Sequence, residues 1–262
     1  MEHSHPVADK TATFVVLTSQ RTGSTLLIRS LDSSSRIFCA GELFRRGRGI
    51  HHLEYQFPFE LLGSVNLGKL CDAFASRFRI RKHLSNFYLA AGVGVEAVGF
   101  KLMVSQLRRY PEILSTAVTM GSRLLFLLRE DTLAAALSYC RAKASGVFHS
   151  DRLHDADMRP SIVVGENEFV RVLRECKLDK QELVRIHRQY GGLLMRYEDM
   201  VSNWDELIEK LGIELGLNDL RVAKALSKLR SGVDAVHIAN EQALIAKFAG
   251  AIPDSDAGDL QQ

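Results

Sequence analysis

Long apolar runs are missing from this chain. No stretch can span a bilayer, and the opening residues, Met1-Glu2-His3-Ser4-His5-Pro6, carry no apolar signal-peptide core. Cysteine is scarce as well. Cys39, Cys71, Cys140 and Cys176 stand far apart with no C-x-x-C and no His–Cys cluster, which reads as reduced thiols in a reducing compartment. Nine histidines offer no helix-borne ligand pair with a third ligand, so no metal is expected. A strong charge excess is also lacking. The net charge of +3 suits a small polyanionic ligand and is too weak for nucleic acid. With no internal repeat and no sign of a second domain, the expectation is one soluble, cytoplasmic domain over residues 1–262. Its core would be ordered from about 12 to 250, between loose termini.

The composition, 46% hydrophobic and 25% charged over 262 residues, supports a sizeable core. Four apolar runs, Phe14–Thr18, Ala97–Leu102, Arg123–Leu128 and Gly192–Arg196, read as buried parallel strands. Helical patterns cover Thr25–Ser33, Gly68–Phe78, Val104–Arg109, Leu133–Ser145 and Glu166–Tyr190, then Trp204–Leu211, Asp219–Leu229 and Asn240–Ala249. The alternation predicts an α/β protein: a three-layer, P-loop-like fold with a central parallel sheet of four to five strands flanked by helices. Ligands of such folds sit at the carboxyl ends of the strands.

The segment Phe14–Leu27 places a site there. The apolar run ends in Ser19-Gln20-Arg21-Thr22-Gly23-Ser24-Thr25, and a helical pattern starts at Leu26. Strand, hydroxyl-rich turn and helix start together make an anion cradle. The first N–H groups of a helix lack intrahelical partners, and its dipole favours negative charge. Gly23 allows close approach, Ser24 and Thr25 add hydroxyls, and Arg21 adds a cation. Unlike the nucleotide-triphosphate motif G-x-x-x-x-G-K-[ST], the turn has no lysine before its hydroxyl pair.

Downstream, Arg129 ends a strand, and Ser138 follows in the next helix. A guanidinium and a hydroxyl so placed can grip one dianion. Pairing of Arg129 with Asp131 is the structural alternative. The segment Gly146–Val164, which opens Gly146-Val147-Phe148-His149-Ser150, reads as a lid or substrate loop. Arg196 and Glu198 read as a structural pair.

Five segments, in order, resemble sulfotransferases that use 3′-phosphoadenylyl sulfate (PAPS), more specifically bacterial carbohydrate sulfotransferases of the trehalose and nodulation-factor type. They are Ser19–Leu27, Gly41-Glu42, Gly99-Phe100-Lys101-Leu102-Met103, Leu127–Ala142 and Arg196-Tyr197-Glu198-Asp199-Met200. The resemblance implies that Gln20, Arg21, Thr22, Gly23, Ser24 and Thr25 hold the 5′-phosphosulfate and that Arg129 and Ser138 hold the 3′-phosphate. A basic segment at Arg230 would close over that phosphate. Glu42 would be the base for the acceptor hydroxyl, a helix cap or a pairing with Arg45 or Arg46 being its structural alternative. Lys101 beside it would touch the sulfonate or acceptor, or serve as a structural ion pair, and His149 with Phe148 would line the acceptor pocket. Leu43-Phe44 departs from the proline that follows in the trehalose-type enzymes. Because a sulfonate carries less charge than a terminal phosphate, the resemblance also implies transfer without magnesium, which accounts for the missing lysine. The implied partner is a hydroxyl-bearing acceptor on a sugar or glycolipid, with a homodimer left open. A P-loop kinase or NTPase and a non-catalytic adenylate-binding module stay as alternatives.

Overall fold

The computed structural model describes residues 11–45, 52–59, 68–90, 92–145, 161–225 and 236–249. Along the chain run β1 (Ala12–Thr18), α1 (Ser24–Asp32), β2 (Ile37–Ala40), a 3₁₀ turn (Leu53–Tyr55), α2 (Gly68–Leu89), β3 (Ala97–Met103), α3 (Val104–Arg109), α4 (Glu112–Thr119) and β4 (Arg123–Leu128). Then come α5 (Thr132–Ser145), β5 (Ser161–Ile162), α6 (Glu166–Tyr190), β6 (Leu193–Arg196), α7 (Tyr197–Ser202), α8 (Trp204–Leu215), β7 (His237–Ile238) and α9 (Glu241–Phe248). They fall into two compact units, Met1–Glu130 with Asp179–Ser227, and Asp131–Leu178 with Lys228–Gln262.

The first unit is built on a five-stranded, wholly parallel sheet of order β2-β3-β1-β4-β6. Phe14, Val15, Val16 and Leu17 of β1 are fully buried, as an interior strand covered on both faces requires. Gly99 is needed on β3 because a Cβ there would run into the ring of Phe14, its register partner. The chain winds to one side of β1 through β3 and β2 and to the other through β4 and β6. That makes β1 the switch point, and ligands of such folds bind at the carboxyl end of the strand there. The loop 19–23 lies there, and the segments after β2, β3, β4 and β6 leave the same edge of the sheet.

The second unit packs α5, α9 and the first part of α6 around Ala136, Leu137, Phe169, Leu173, Ile238 and Leu244. Its two strands, β5 and β7, pair in parallel. Asn240 extends that pairing, its amide accepting from Val164 N–H (3.0 Å) and donating to Val164 O (2.8 Å).

All four expected strands are present, and β2 adds a fifth. The helix expected over Gly68–Phe78 runs on to Leu89, and α4 and α7 were not foreseen. The helix expected over Asp219–Leu229 is absent from its described part, 219–225. Asp219 adopts a left-handed φ of 52°, and the backbone beyond it is taken by tertiary bonds. Val222 O accepts from Trp204 Nε1 (2.7 Å), and Ala225 N–H donates to Ser30 Oγ (2.9 Å). The remainder of that segment, the loose termini and the bulk of the Gly146–Val164 loop lie outside the described residues.

Candidate functional site

The turn after β1 is braced from within. Thr18 Oγ1 bonds Thr22 Oγ1 at 2.5 Å and donates to Leu127 O at 3.1 Å, tying the loop to β4. The buried Thr22 hydroxyl also lies 3.1 Å from Ser19 O, so it shapes the loop. Two residues then take left-handed backbone angles, Arg21 at φ 61° and Gly23 at φ 77°. For arginine that is an uncommon, strained conformation of a kind that clusters at ligand sites. It lets α1 begin at Ser24 with no acidic side chain in its first turn, which leaves the positive end of the helix dipole uncompensated there. Ser24 is buried, Arg21 and Thr25 are half-buried, and Gln20 is exposed.

A Cβ on Gly23 would lie 2.6 Å from Met200 Cε and 2.7 Å from Tyr197 Cδ2. Gly23→Ala therefore combines left-handed strain of about 1–2 kcal/mol with a clash. The melting temperature should fall by roughly 2–8 °C. An unchanged value would mean that the loop leaves its left-handed angle at no cost and that α7 yields to the added methyl group.

Arg129, just past β4, reaches back to this loop. Its Nη1 donates to Arg21 O at 3.1 Å, and its guanidinium carbon lies 4.5 Å from the centre of the Tyr197 ring. Its Nε is buried with no hydrogen-bond partner among the described residues. Burial lowers the Arg21 guanidinium from its ordinary value, the Arg129 charge lowers it further, and Tyr197 acts the other way. Two cations gathered on one loop, one of them with an orphaned donor, call for an anion.

The joint between β6 and α7 holds Arg129 in place. Glu130 N–H donates to both carboxylate oxygens of Glu198 (3.2 Å each), while the Glu130 carboxylate pairs with Arg196 Nε (3.0 Å) and Lys180 Nζ (2.7 Å). Burial pushes the Glu130 carboxyl up, but Lys180 and Arg196 overcome this and leave it below its ordinary value. The expected Arg196–Glu198 pair is thereby corrected, because each residue holds a different part of Glu130.

At the other side of the sheet edge, Glu42 follows β2. Its Oε1 lies 3.0 Å from Lys101 Nζ, and its Oε2 accepts from Gln106 Nε2 at 2.9 Å. Lys101 is 6% exposed, and its backbone N–H donates to Gly41 O (3.1 Å), which joins the glutamate's turn to β3. Both oxygens of the Glu42 carboxylate are thus fixed, one by a buried cation and the other by a neutral amide donor.

The first unit thus gathers residues 20–25 with Arg129, and Glu42 with Lys101. Ser138 is half-buried on α5 in the second unit. Phe148, His149 and Arg230 lie outside the described residues. Gln106 and Tyr197 were given no role from sequence, although the place of Gln106 in the first turn after Lys101 hinted at one. His52 bonds Asp32 Oδ2 (2.9 Å), and no group of three or more potential metal ligands occurs among the described residues.

The family model described as Stf0 sulphotransferase matches residues 13–229. No curated protein matches the chain. Among solved structures, a sulfotransferase from Alicyclobacillus acidocaldarius is similar over 92% of each chain at 16% identity, with a TM-score of 0.50. The sulfotransferase domain from the curacin biosynthetic pathway is similar over 94% of this chain and 93% of its own at 14% identity, with a TM-score of 0.52. At such identities the likeness establishes the fold.

Proposed function

The chain belongs to the Stf0 sulphotransferase family and is a PAPS-dependent sulfotransferase, and we propose that it sulfates a hydroxyl on a carbohydrate or glycolipid. The observation that carries the site reading is the anion-seeking pair at the loop, Arg21 and Arg129, on the same sheet edge as the Glu42 carboxylate. In this reading residues 20–25 hold the 5′-phosphosulfate through backbone N–H groups, the Ser24 and Thr25 hydroxyls and Arg21. Arg129 and Ser138 hold the 3′-phosphate, with Arg230 closing over it. Phe148 and His149 line the acceptor pocket. The carbohydrate assignment rests on the sequence resemblance to the trehalose and nodulation-factor enzymes.

The bound donor supplies an activated sulfonate, whose S–O bond to the 5′-phosphate breaks as the acceptor oxygen bonds to sulfur. Glu42 takes the proton of that hydroxyl. Lys101 holds the Glu42 carboxylate in place, and Arg21 with the start of α1 stabilises charge left on the departing phosphate. No metal is required in this scheme. The family match crosses both compact units, which supports treating 1–262 as one working domain. Cys39, Cys140 and Cys176 carry free thiols, and burial pushes Cys140 up to about 11, in keeping with a cytoplasmic setting. No helix among the described residues is long and apolar enough to cross a membrane.

Thermal shift tests the donor. Adenosine 3′,5′-bisphosphate at one hundred times its Kd should add about 2.7 kcal/mol and raise the melting temperature by several degrees. ATP with magnesium should not. The reverse preference would favour a kinase, and bisphosphate binding without turnover of any acceptor would favour a binding module. Mass spectrometry of cell extract incubated with isotopically labelled donor tests the acceptor. Sulfated sugars or glycolipids are expected, and label found only on peptides or small phenols would overturn that class.

A further inference from the structure

We propose that Gln106 is a positioning residue of this reaction, fixing the Glu42 carboxylate for proton transfer. The proposal rests on the reading of Glu42 as the base. Gln106 stands in the first turn of α3, and its amide spans two groups of fixed polarity. Met103 N–H can only donate, and it meets Gln106 Oε1 at 3.0 Å. That leaves the amide nitrogen facing Glu42 Oε2, at 2.9 Å. The amide's orientation is therefore dictated by the backbone at the end of β3, with no freedom to flip.

Glu42 is thus held at both oxygens by groups anchored on one segment, Lys101 inside β3 and Gln106 just past its end. A carboxylate offers about four lone-pair sites, so these two contacts leave room for an incoming hydroxyl. The two holders differ in kind. Lys101 brings a full charge in an ion pair at 3.0 Å. Gln106 brings orientation through a neutral donor at 2.9 Å. Among the described contacts of Glu42, Lys101 on β3 is the charged partner and Gln106 on α3 the neutral one.

Two substitutions separate orientation from fold. Gln106→Leu removes both halves of the bridge. Gln106→Glu keeps an oxygen for Met103 N–H and replaces the donor facing Glu42 with a second carboxylate. Both should lower kcat, Gln106→Leu by roughly 10- to 100-fold. Affinity for adenosine 3′,5′-bisphosphate should stay unchanged in both. The acid limb of the kcat/KM profile should move to higher pH, because a hydrogen bond favouring the ionised carboxyl has gone, and it should move further for Gln106→Glu. Glu42→Gln runs alongside as the check on the base. If Glu42→Gln is inactive while both Gln106 variants keep their rate and their acid limb, the positioning role is overturned and the base stands. If Glu42→Gln keeps its turnover, both fall. Loss of bisphosphate binding together with rate, with no movement of the acid limb, would reduce Gln106 to a structural residue and overturn the proposal.

Discussion

Glu42→Gln should bind adenosine 3′,5′-bisphosphate as the parent protein does and lose turnover by about 10²–10⁴-fold, the usual contribution of a positioned general base. The substitution is close to isosteric. An amide oxygen can still meet Lys101 Nζ, which lies 3.0 Å from the present carboxylate. What goes is the lone pair that can take a proton. Lys101 is 6% exposed, and leaving such a cation without its counter-charge is costly, so the melting temperature should fall as well. Rates should therefore be measured well below that temperature and normalised to the folded fraction. Loss of kcat with donor affinity retained marks an interaction made in the transition state. Turnover that survives with the native acceptor would remove Glu42 from the base role, and His149 would be the next residue to test.

Glu42 could be singled out in the sequence through the Gly41-Glu42 pair, but the contacts that hold its carboxylate could not. Its two partners lie on β3 and α3, and nothing in the spacing from 42 to 101 or 106 says that these side chains converge. That convergence comes from the pairing of β2 with β3, and β2 is only four residues long, Ile37–Ala40, too short to stand out as an apolar run. The long buried strands were legible for the opposite reason, since Phe14–Thr18 and Arg123–Leu128 are covered on both faces and read as nearly continuous apolar stretches. Local spacing misled at the joint of β6 and α7. Arg196 and Glu198 stand close along the chain and carry opposite charge, yet each turns to Glu130, one to its carboxylate and the other to its backbone N–H. The helix expected from Asp219 fails on the same ground in its described part, 219–225, because the tertiary bonds at Val222 and Ala225 outweigh helical propensity there.

Arg129→Ala should weaken binding of adenosine 3′,5′-bisphosphate on the order of 10²–10³-fold, as loss of one partner from a desolvated charge pair does. The Arg129 guanidinium leans on the Tyr197 ring at 4.5 Å and donates one hydrogen bond to Arg21 O, while its Nε stays buried and unpartnered. It also sits close enough to Arg21 to disfavour that residue's charge. Without a ligand, then, Arg129 sets two favourable contacts against a repulsion and an orphaned donor, so its removal should cost the unliganded protein little stability. With adenosine 3′,5′-bisphosphate bound, its two phosphates offset the repulsion between the two cations, Arg21 facing the 5′-group and Arg129 the 3′-phosphate, and the ligand affinity carries nearly the whole effect. Arg129→Lys sharpens the test. It restores the charge but not the planar fork or the stacking on Tyr197, so it should recover only part of the lost affinity. Isothermal titration of the three proteins at matched ionic strength reads both outcomes. Equal affinity in all three would remove Arg129 from the donor site and leave it as a brace for the loop it touches.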